Sequence, residues 1–380
     1  MRIGIDARMM SSGFGIGRYI EQLVIHLLEL PEAKENDFVL FLMPDGIKQY
    51  GYLREKYKNV SFVLADIHWY TFQEQWKFLK RVNNASLDVM HFPHWNVPLF
   101  YRKPFVLTVH DLTMFHFPRP DATTLGPIKF WIKDKAHRLI LKSATKRAKH
   151  IFVTSEFTKQ DVFDHLKVPK EKMLVTYQAP FDHIEKSNPQ GGVDKLKQWG
   201  ITLPYVLYVG AAYPHKNLPC LLRAWKRVEE KTGNLYQLVL VGKKTPFYTQ
   251  LLESEAMKDC NTIIYTDFVE DMNLEVIYNH AKLFVFPSLY EGFGLPPLEA
   301  MAHKVPVVSS SASCLPEVLG EGALYFDPES EENMAQVMMS ALEDENIRMD
   351  ILSAGKGVLQ NYSWNILAKK TFDEYRKTIE

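Results

Sequence analysis

The chain has 380 residues, 46% of them hydrophobic, and its 45 basic and 45 acidic side chains cancel. That length suits two domains with separate cores, and a balanced charge supplies no bulk field that would draw the chain to nucleic acid. Three cysteines, Cys220, Cys260 and Cys314, show neither CxxC nor zinc spacing, which fits a reducing compartment better than a disulfide framework.

Residues 2–7 read as a buried strand whose charges break the apolar run, unlike a secretory leader. A glycine-rich turn follows. Residues 19–30 then place Ile20, Leu23, Val24, Leu27 and Leu28 on one helical face. Further strands are predicted at 38–43, 60–65, 89–92, 105–110, 151–154 and 173–177, with a helix starting at Ser155 or Thr158. The stretch 181–200 is polar and lacks a period, and Asn188-Pro189-Gln190-Gly191-Gly192 within it reads as a linker. The alternation then resumes. Strands are predicted at 205–209, 237–241, 262–265, 283–286 and 305–309, and helices at 218–231, near 247–257, at 272–280 and at 297–301. A last helix is expected from Ser363, a good N-cap, to about Lys377. Strands alternating with helices mean parallel sheets, here an α/β chain of two doubly wound, Rossmann-like halves. No apolar stretch approaches the roughly 18 residues of a membrane span, so a cytoplasmic protein is expected.

The segment Glu291-Gly-Phe-Gly-Leu-Pro-Pro-Leu-Glu299 follows the strand that ends at Phe286. Its glycine turn leads into a helix whose first turn holds Pro296 and Pro297, where a missing N–H costs nothing. Backbone N–H groups at Phe293, Gly294 and Leu295 are expected to face the crevice at the strand ends, which suits an anionic or polyhydroxyl ligand. The flanking carboxylates can each accept paired hydroxyls, one pair from a ribose and one from a hexose. The segment resembles the E-x7-E motif of family 4 retaining glycosyltransferases of the GT-B fold, and the resemblance covers nearly the whole chain. It implies two Rossmann-like domains separated by a cleft. An acceptor-side domain is expected at 1–182 with a returning helix near 363–380, and a nucleotide-sugar domain at 200–362. It also implies that Glu291 contacts hydroxyls of the donor sugar, that Glu299 holds the ribose, and that the backbone of Phe293, Gly294 and Leu295 meets sugar and diphosphate.

Gly210-Ala-Ala-Tyr-Pro-His215-Lys216-Asn217 reads as the turn between a strand and a helix, where a phosphate also feels the helix dipole. Lys216 resembles the family's diphosphate lysine. The family often has an arginine directly after the glycine; Ala211 stands there, so neutralisation rests more heavily on Lys216, with His215 as a candidate helper. Gly13-Phe14-Gly15-Ile16-Gly17-Arg18 is not a dinucleotide fingerprint, because Ile20 occupies its last glycine position. The family has a similar loop near the donor diphosphate or acceptor, which makes Gly15, Gly17 and Gly210 donor-side candidates.

His110 ends a predicted strand and precedes Asp111, so it is expected at the crevice. The resemblance implies that His110 touches the transferred sugar in a front-face displacement that keeps the anomeric configuration, positioning rather than attacking. His110 and Glu291 are the catalytic candidates. His91 and His94 lack metal-ligand spacing and read as acceptor-side cleft or core. No Asp-x-Asp occurs in the chain, so neither a metal nor a cofactor is expected beside the nucleotide-diphosphate sugar. Residues 129–149 form a lysine-rich helix with Phe130, Trp131, Leu139 and Leu141, opposed only by Asp134. Such a helix either lies on an anionic membrane, on the inner face, or packs as a solvated helix. Asp6-Ala7-Arg8 and Gly-Ile-Gly-Arg-Tyr resemble the start of bacterial mannosyl- and rhamnosyltransferases of polysaccharide assembly. The implied function is transfer of a hexose from GDP-mannose to a glycan or lipid-linked glycan. UDP- or dTDP-sugars, a same-fold epimerase and a catalytically silent sugar-nucleotide binder are the alternatives.

Overall fold

The computed structural model describes residues 1–12, 15–118, 126–181 and 192–379. Gly13, Phe14 and the linker residues 188–191 lie outside the described residues, as do the side chains of Lys129 and Phe130. The chain divides into two units. The first comprises Met1–Leu112, Thr123–Gln178 and Ser363–Glu380, and the second Thr113–Ala122 and Ala179–Tyr362.

The first unit is built on seven strands, β1 (Arg2–Asp6), β2 (Asp37–Leu42), β3 (Val60–Leu64), β4 (Val89–Phe92), β5 (Phe105–Val109), β6 (Ile151–Val153) and β7 (Met173–Val175). They pair in parallel in the order β3-β2-β1-β4-β5-β6-β7. Largely apolar runs such as Phe-Val-Leu-Thr-Val in β5 are buried throughout, as expected where helices cover both faces of a parallel sheet. The helix Gly15–Glu29 packs Ile20, Leu23, Val24, Leu27 and Leu28 into this core. The closing helix Trp364–Ile379 packs against it and buries Trp364, Leu367, Ala368, Phe372 and Tyr375. The helix after β6 starts at Glu156, with Ser155 as N-cap accepting from the Thr158 backbone N–H.

The second unit carries six strands, β8 (Tyr205–Val209), β9 (Gln237–Val241), β10 (Ile263–Asp267), β11 (Leu283–Phe286), β12 (Val307–Ser310) and β13 (Ala323–Phe326). Their order is β10-β9-β8-β11-β12-β13, again parallel. The helix Leu218–Thr232 anchors this sheet through Trp225 and Glu229. Trp225 Nε1 donates to Thr262 Oγ1 over 3.0 Å, and one Glu229 oxygen accepts from the backbone N–H of Asn261 and Thr262. The structure differs from the sequence reading in several places, beginning with the stretch read as linker, where Gly192–Gln198 is a helix. The helix expected near 247–257 is two, Pro246–Glu253 and Glu255–Lys258, because Ser254 is extended and its Oγ caps the second piece. The strand expected from Val305 begins at Val307, since Pro306 has no N–H to give the ladder; its carbonyl accepts from Phe284 instead. The helices Glu331–Glu343 and Glu345–Leu359 follow β13 in a region where no element was expected.

In each sheet the chain reverses its direction of strand addition once, between β1 and β4 and between β8 and β11. Loops leaving the carboxyl ends of those strands diverge there, which opens the customary binding crevice of this architecture.

Candidate active site

At the switch point of the second unit, the loop after β8 is held by its own backbone partners. The Gly210 N–H donates to the Val241 carbonyl over 2.9 Å. Two tyrosine hydroxyls donate to the next carbonyls, Tyr248 to Gly210 and Tyr208 to Ala211, each at 2.8 Å. A β-carbon on Gly242 would lie 2.1 Å from the Gly210 oxygen, so the neighbouring loop requires glycine. Asn217, left-handed at φ 59°, ties the following turn to the carbonyls of Pro287 and Pro328. The Leu289 N–H donates to the His215 carbonyl over 2.8 Å, lacing this loop to the one after β11. His215 itself is buried, its ring beside those of Tyr213 and Phe117.

This lacing brings together Lys216 and Glu291. Lys216 Nζ donates to Glu291 Oε1 in an ion pair whose side chains are 16% and 13% exposed. The Glu291 N–H donates to Ser313 Oγ over 3.0 Å, and the Cys314 thiol lies 3.3 Å from the carbonyls of Glu291 and Phe293. Burial, then the Glu291 and Glu317 carboxylates, push the Cys314 thiol well above its usual range, so it stays a protonated donor. Gly294 sits at φ 93° as the N-cap of the helix Leu295–Ala302, which has proline in its first turn. Only glycine adopts that conformation at low cost, and a β-carbon there would also meet Leu315 at 2.8 Å. Glu299 lies just over one turn into this helix. Its Oε2 accepts from Tyr278 Oη over 3.2 Å, and the Tyr278 ring stacks on His303 with centroids 5.0 Å apart. One ammonium and two carboxylates thus stand along the carboxyl edge of the sheet, able to take an anion and two sets of hydroxyls.

In the first unit, His110 follows β5. Its Nε2–H donates to the Pro93 carbonyl over 2.9 Å, and its ring meets Tyr19 edge-on at 4.6 Å. Burial pushes the His110 imidazole below its usual range, leaving a neutral ring with Nδ1 as its acceptor nitrogen. His94 stacks beside it at 6.1 Å and shares a 3.3 Å hydrogen bond with Tyr70 Oη. His91 is different. It is buried in β4, bonded to Tyr375 Oη of the closing helix at 2.6 Å and to Thr108 Oγ1 at 2.8 Å. Burial pushes its imidazole down to about 3. Of the two histidines read together from the sequence, His91 is core and His94 lies near His110. Gly15 opens its helix with nothing near a would-be β-carbon, whereas at Gly17 that atom would lie 2.5 Å from the Met9 carbonyl oxygen. Close packing of the chain on itself already explains a glycine at 17.

Sequence reasoning missed a buried network beside this edge. Arg8 Nη2 donates to Asp6 Oδ2 at 2.7 Å and to Glu74 Oε1 at 2.5 Å, and Nη1 donates to the Ile67 carbonyl. Asn96 Nδ2 donates to the same Glu74 oxygen at 2.6 Å, while Glu74 Oε2 accepts from the Tyr70 N–H at 3.1 Å. Tyr70 is held at φ 62°, costly for a bulky residue, with its ring stacked on Trp95. The pair Asp6 and Arg8 at a strand end was a visible signal; nothing near Glu74 in sequence announced its partner. Ser313, Cys314 and Tyr278 were likewise missed.

On the helix Gly126–Arg147, Leu141 is buried, but Trp131, Ile132 and Leu139 are exposed at 61%, 54% and 61% beside the exposed Lys133, Lys135 and Lys142. Among the described residues no helix is long and apolar enough to cross a membrane.

The pattern of glycosyl transferases group 1 matches residues 195–358, and that of glycosyltransferase family 4 matches residues 15–179. An O-antigen chain mannosyltransferase B of Escherichia coli is 29% identical over 76% of this chain and 74% of its own length. An O-antigen chain mannosyltransferase of Salmonella typhimurium is 25% identical over 94% of this chain and 95% of its own. Among solved structures, a glycosyltransferase from Rickettsia africae superposes with a TM-score of 0.72 at 15% identity, covering 100% of this chain and 98% of that one. Anabaena HepE, in complex with UDP and glucose, superposes with a TM-score of 0.73 at 18% identity over 99% and 100% of the two chains. The chain belongs to the group 1, family 4 glycosyltransferases of the GT-B fold and is a hexosyltransferase.

Proposed function

We propose that the chain transfers mannose from GDP-mannose, with retention of configuration, to a glycan or lipid-linked glycan in polysaccharide assembly. The observation that carries this reading is the Lys216–Glu291 pair beside Glu299 at one strand-end switch point. Lys216 supplies the cation for the leaving diphosphate. Glu291 accepts the hydroxyls of the sugar, and Glu299, aimed by Tyr278, accepts those of the ribose. Gly210 and the backbone of Phe293, Gly294 and Leu295 border the diphosphate and sugar. The choice of mannose and of a polysaccharide acceptor is supported by the O-antigen mannosyltransferases among the relatives.

In this reading the sugar–phosphate bond breaks first, giving an oxocarbenium-like centre. A diphosphate oxygen then takes the proton of the acceptor hydroxyl as that hydroxyl attacks the same face. His110, neutral because of its burial, hydrogen-bonds and orients rather than forming a bond to carbon. No metal or cofactor takes part; the cation is Lys216. The first unit receives the acceptor. Its exposed Trp131, Ile132 and Leu139 among lysines suit contact with an anionic membrane that presents a lipid-linked acceptor.

Thermal-shift measurements with GDP, UDP and dTDP test the nucleotide: GDP is expected to raise Tm most, and a larger rise with UDP or dTDP overturns the GDP assignment. Radiolabelled GDP-mannose tests the reaction, since release of free mannose or an epimer with no product on an acceptor contradicts transfer. Flotation with anionic vesicles tests the membrane contact, which absence of binding refutes.

A further inference from the structure

We propose that Glu291 makes the donor site discriminate between the intact sugar donor and the nucleoside diphosphate that remains after transfer. The inference rests on the second unit's site being the donor site. Lys216 and Glu291 are each other's partner, mostly enclosed, at that switch point. A diphosphate that takes Lys216 as its cation therefore enters beside a carboxylate already using that cation. A charge that loses its partner in a partly enclosed place is costly unless another group replaces it.

The two ligands differ in that replacement. The intact donor brings sugar hydroxyls, which donate to the Glu291 carboxylate as Lys216 turns to the phosphates, so each group exchanges one partner for another. The bare nucleoside diphosphate brings no hydroxyls to that position. Its terminal phosphate also carries up to one more negative charge near neutral pH than the same phosphate does when esterified to sugar. Glu291 then faces the phosphate with its ammonium shared and nothing in exchange.

The backbone that carries Glu291 is held in place beside Lys216. Its own N–H is held by Ser313 Oγ, its carbonyl lies against the Cys314 thiol, and the left-handed Gly294 follows three residues later. The penalty thus falls on the product and not on the substrate. It favours release of the spent nucleotide, a step that limits turnover in many enzymes.

The test is calorimetric titration of the full chain with GDP and with GDP-mannose, with UDP and dTDP alongside, for the wild type, Glu291→Gln and Glu291→Asp. Glutamine keeps the shape and the backbone clamp while removing the charge. Glu291→Gln is expected to bind GDP about fivefold tighter than the wild type and GDP-mannose no tighter. Glu291→Asp, which keeps the charge, is expected to show a smaller gain than Glu291→Gln. Wild-type binding of a nucleoside diphosphate with no gain in Glu291→Gln overturns the inference alone, as does an equal gain in Glu291→Asp. No binding of any of the four ligands by the wild type overturns the donor-site reading and the inference with it.

Discussion

The two switch points share one strand order but place charge in opposite ways. In the second unit, Lys216 and Glu291 stand at the sheet edge with 16% and 13% of their side chains exposed, and Glu299 is half-buried nearby. In the first unit, the Asp6–Arg8–Glu74 network beside the corresponding edge is sealed. Arg8 is 1% exposed and Glu74 2%, and each satisfies the other and the surrounding backbone. Tyr70, His94 and His110 also lie near that edge, the two imidazoles held uncharged by burial, with the half-buried Asp111 following His110. The same architecture therefore leaves an ammonium and two carboxylates partly exposed in one unit and encloses an arginine with two carboxylates in the other. Charge acts on a ligand only where it is left in reach of one; sealed, it acts on the fold.

That contrast can be broken from either side. The largest effect is expected from Arg8→Ala, which leaves the Asp6 and Glu74 carboxylates buried in the first unit without their shared cation. Removing one partner of a buried pair costs about 3–5 kcal/mol, read as a fall in the denaturant midpoint; a loss below about 1 kcal/mol would mean that the network is not sealed. Lys216→Ala attacks the opposite edge and should behave differently. We expect kcat/KM to fall by about 100- to 1000-fold, the cost of losing one charge-stabilising group, with a smaller drop in the unfolding midpoint than in the first-unit variant, because Glu291 is only partly enclosed.

The buried histidines give a smaller, pH-dependent effect. His91 is fully buried and its folded-state pKa is depressed to about 3 from an unfolded value near 6.5. Below pH 6.5 the unfolded chain binds a proton that the folded chain refuses, so stability is lost as pH falls. Between pH 7 and pH 5 this amounts to about 2 kcal/mol for such a histidine, measurable as a urea-midpoint shift. His91→Gln should flatten that slope, and an unchanged slope would remove His91 as its source. The smallest effect belongs to Tyr278→Phe, which deletes a single 3.2 Å hydrogen bond to Glu299. A loss of about threefold to tenfold in nucleotide affinity is expected; equal affinity would show that Glu299 does not depend on Tyr278.

Much of this organisation was legible in the sequence. The limits of β4, β8, β9 and β11 coincide with the strands read from the sequence, because strands buried on both faces leave near-continuous apolar runs, broken here by His91 and Gln237. The nine-residue segment from Glu291 to Glu299 announced itself because its chemistry is local: two carboxylates, two glycines and two prolines in one turn. What stayed hidden depends on distant partners. Glu74 meets Arg8 across 66 positions, and Ser313 and Cys314 hold Glu291 from 22 and 23 positions away. β13 has only four residues, two of them half-buried, so its pattern is too short and too mixed to stand out.

Hydrogen exchange on the full chain, with and without saturating GDP-mannose, tests most directly whether the second unit's edge holds the donor. Slowed exchange is expected in the backbone around 210–217 and 291–299, with little change around Arg8 and Glu74. Slowing confined to the first unit, or none at 291–299, would contradict the account.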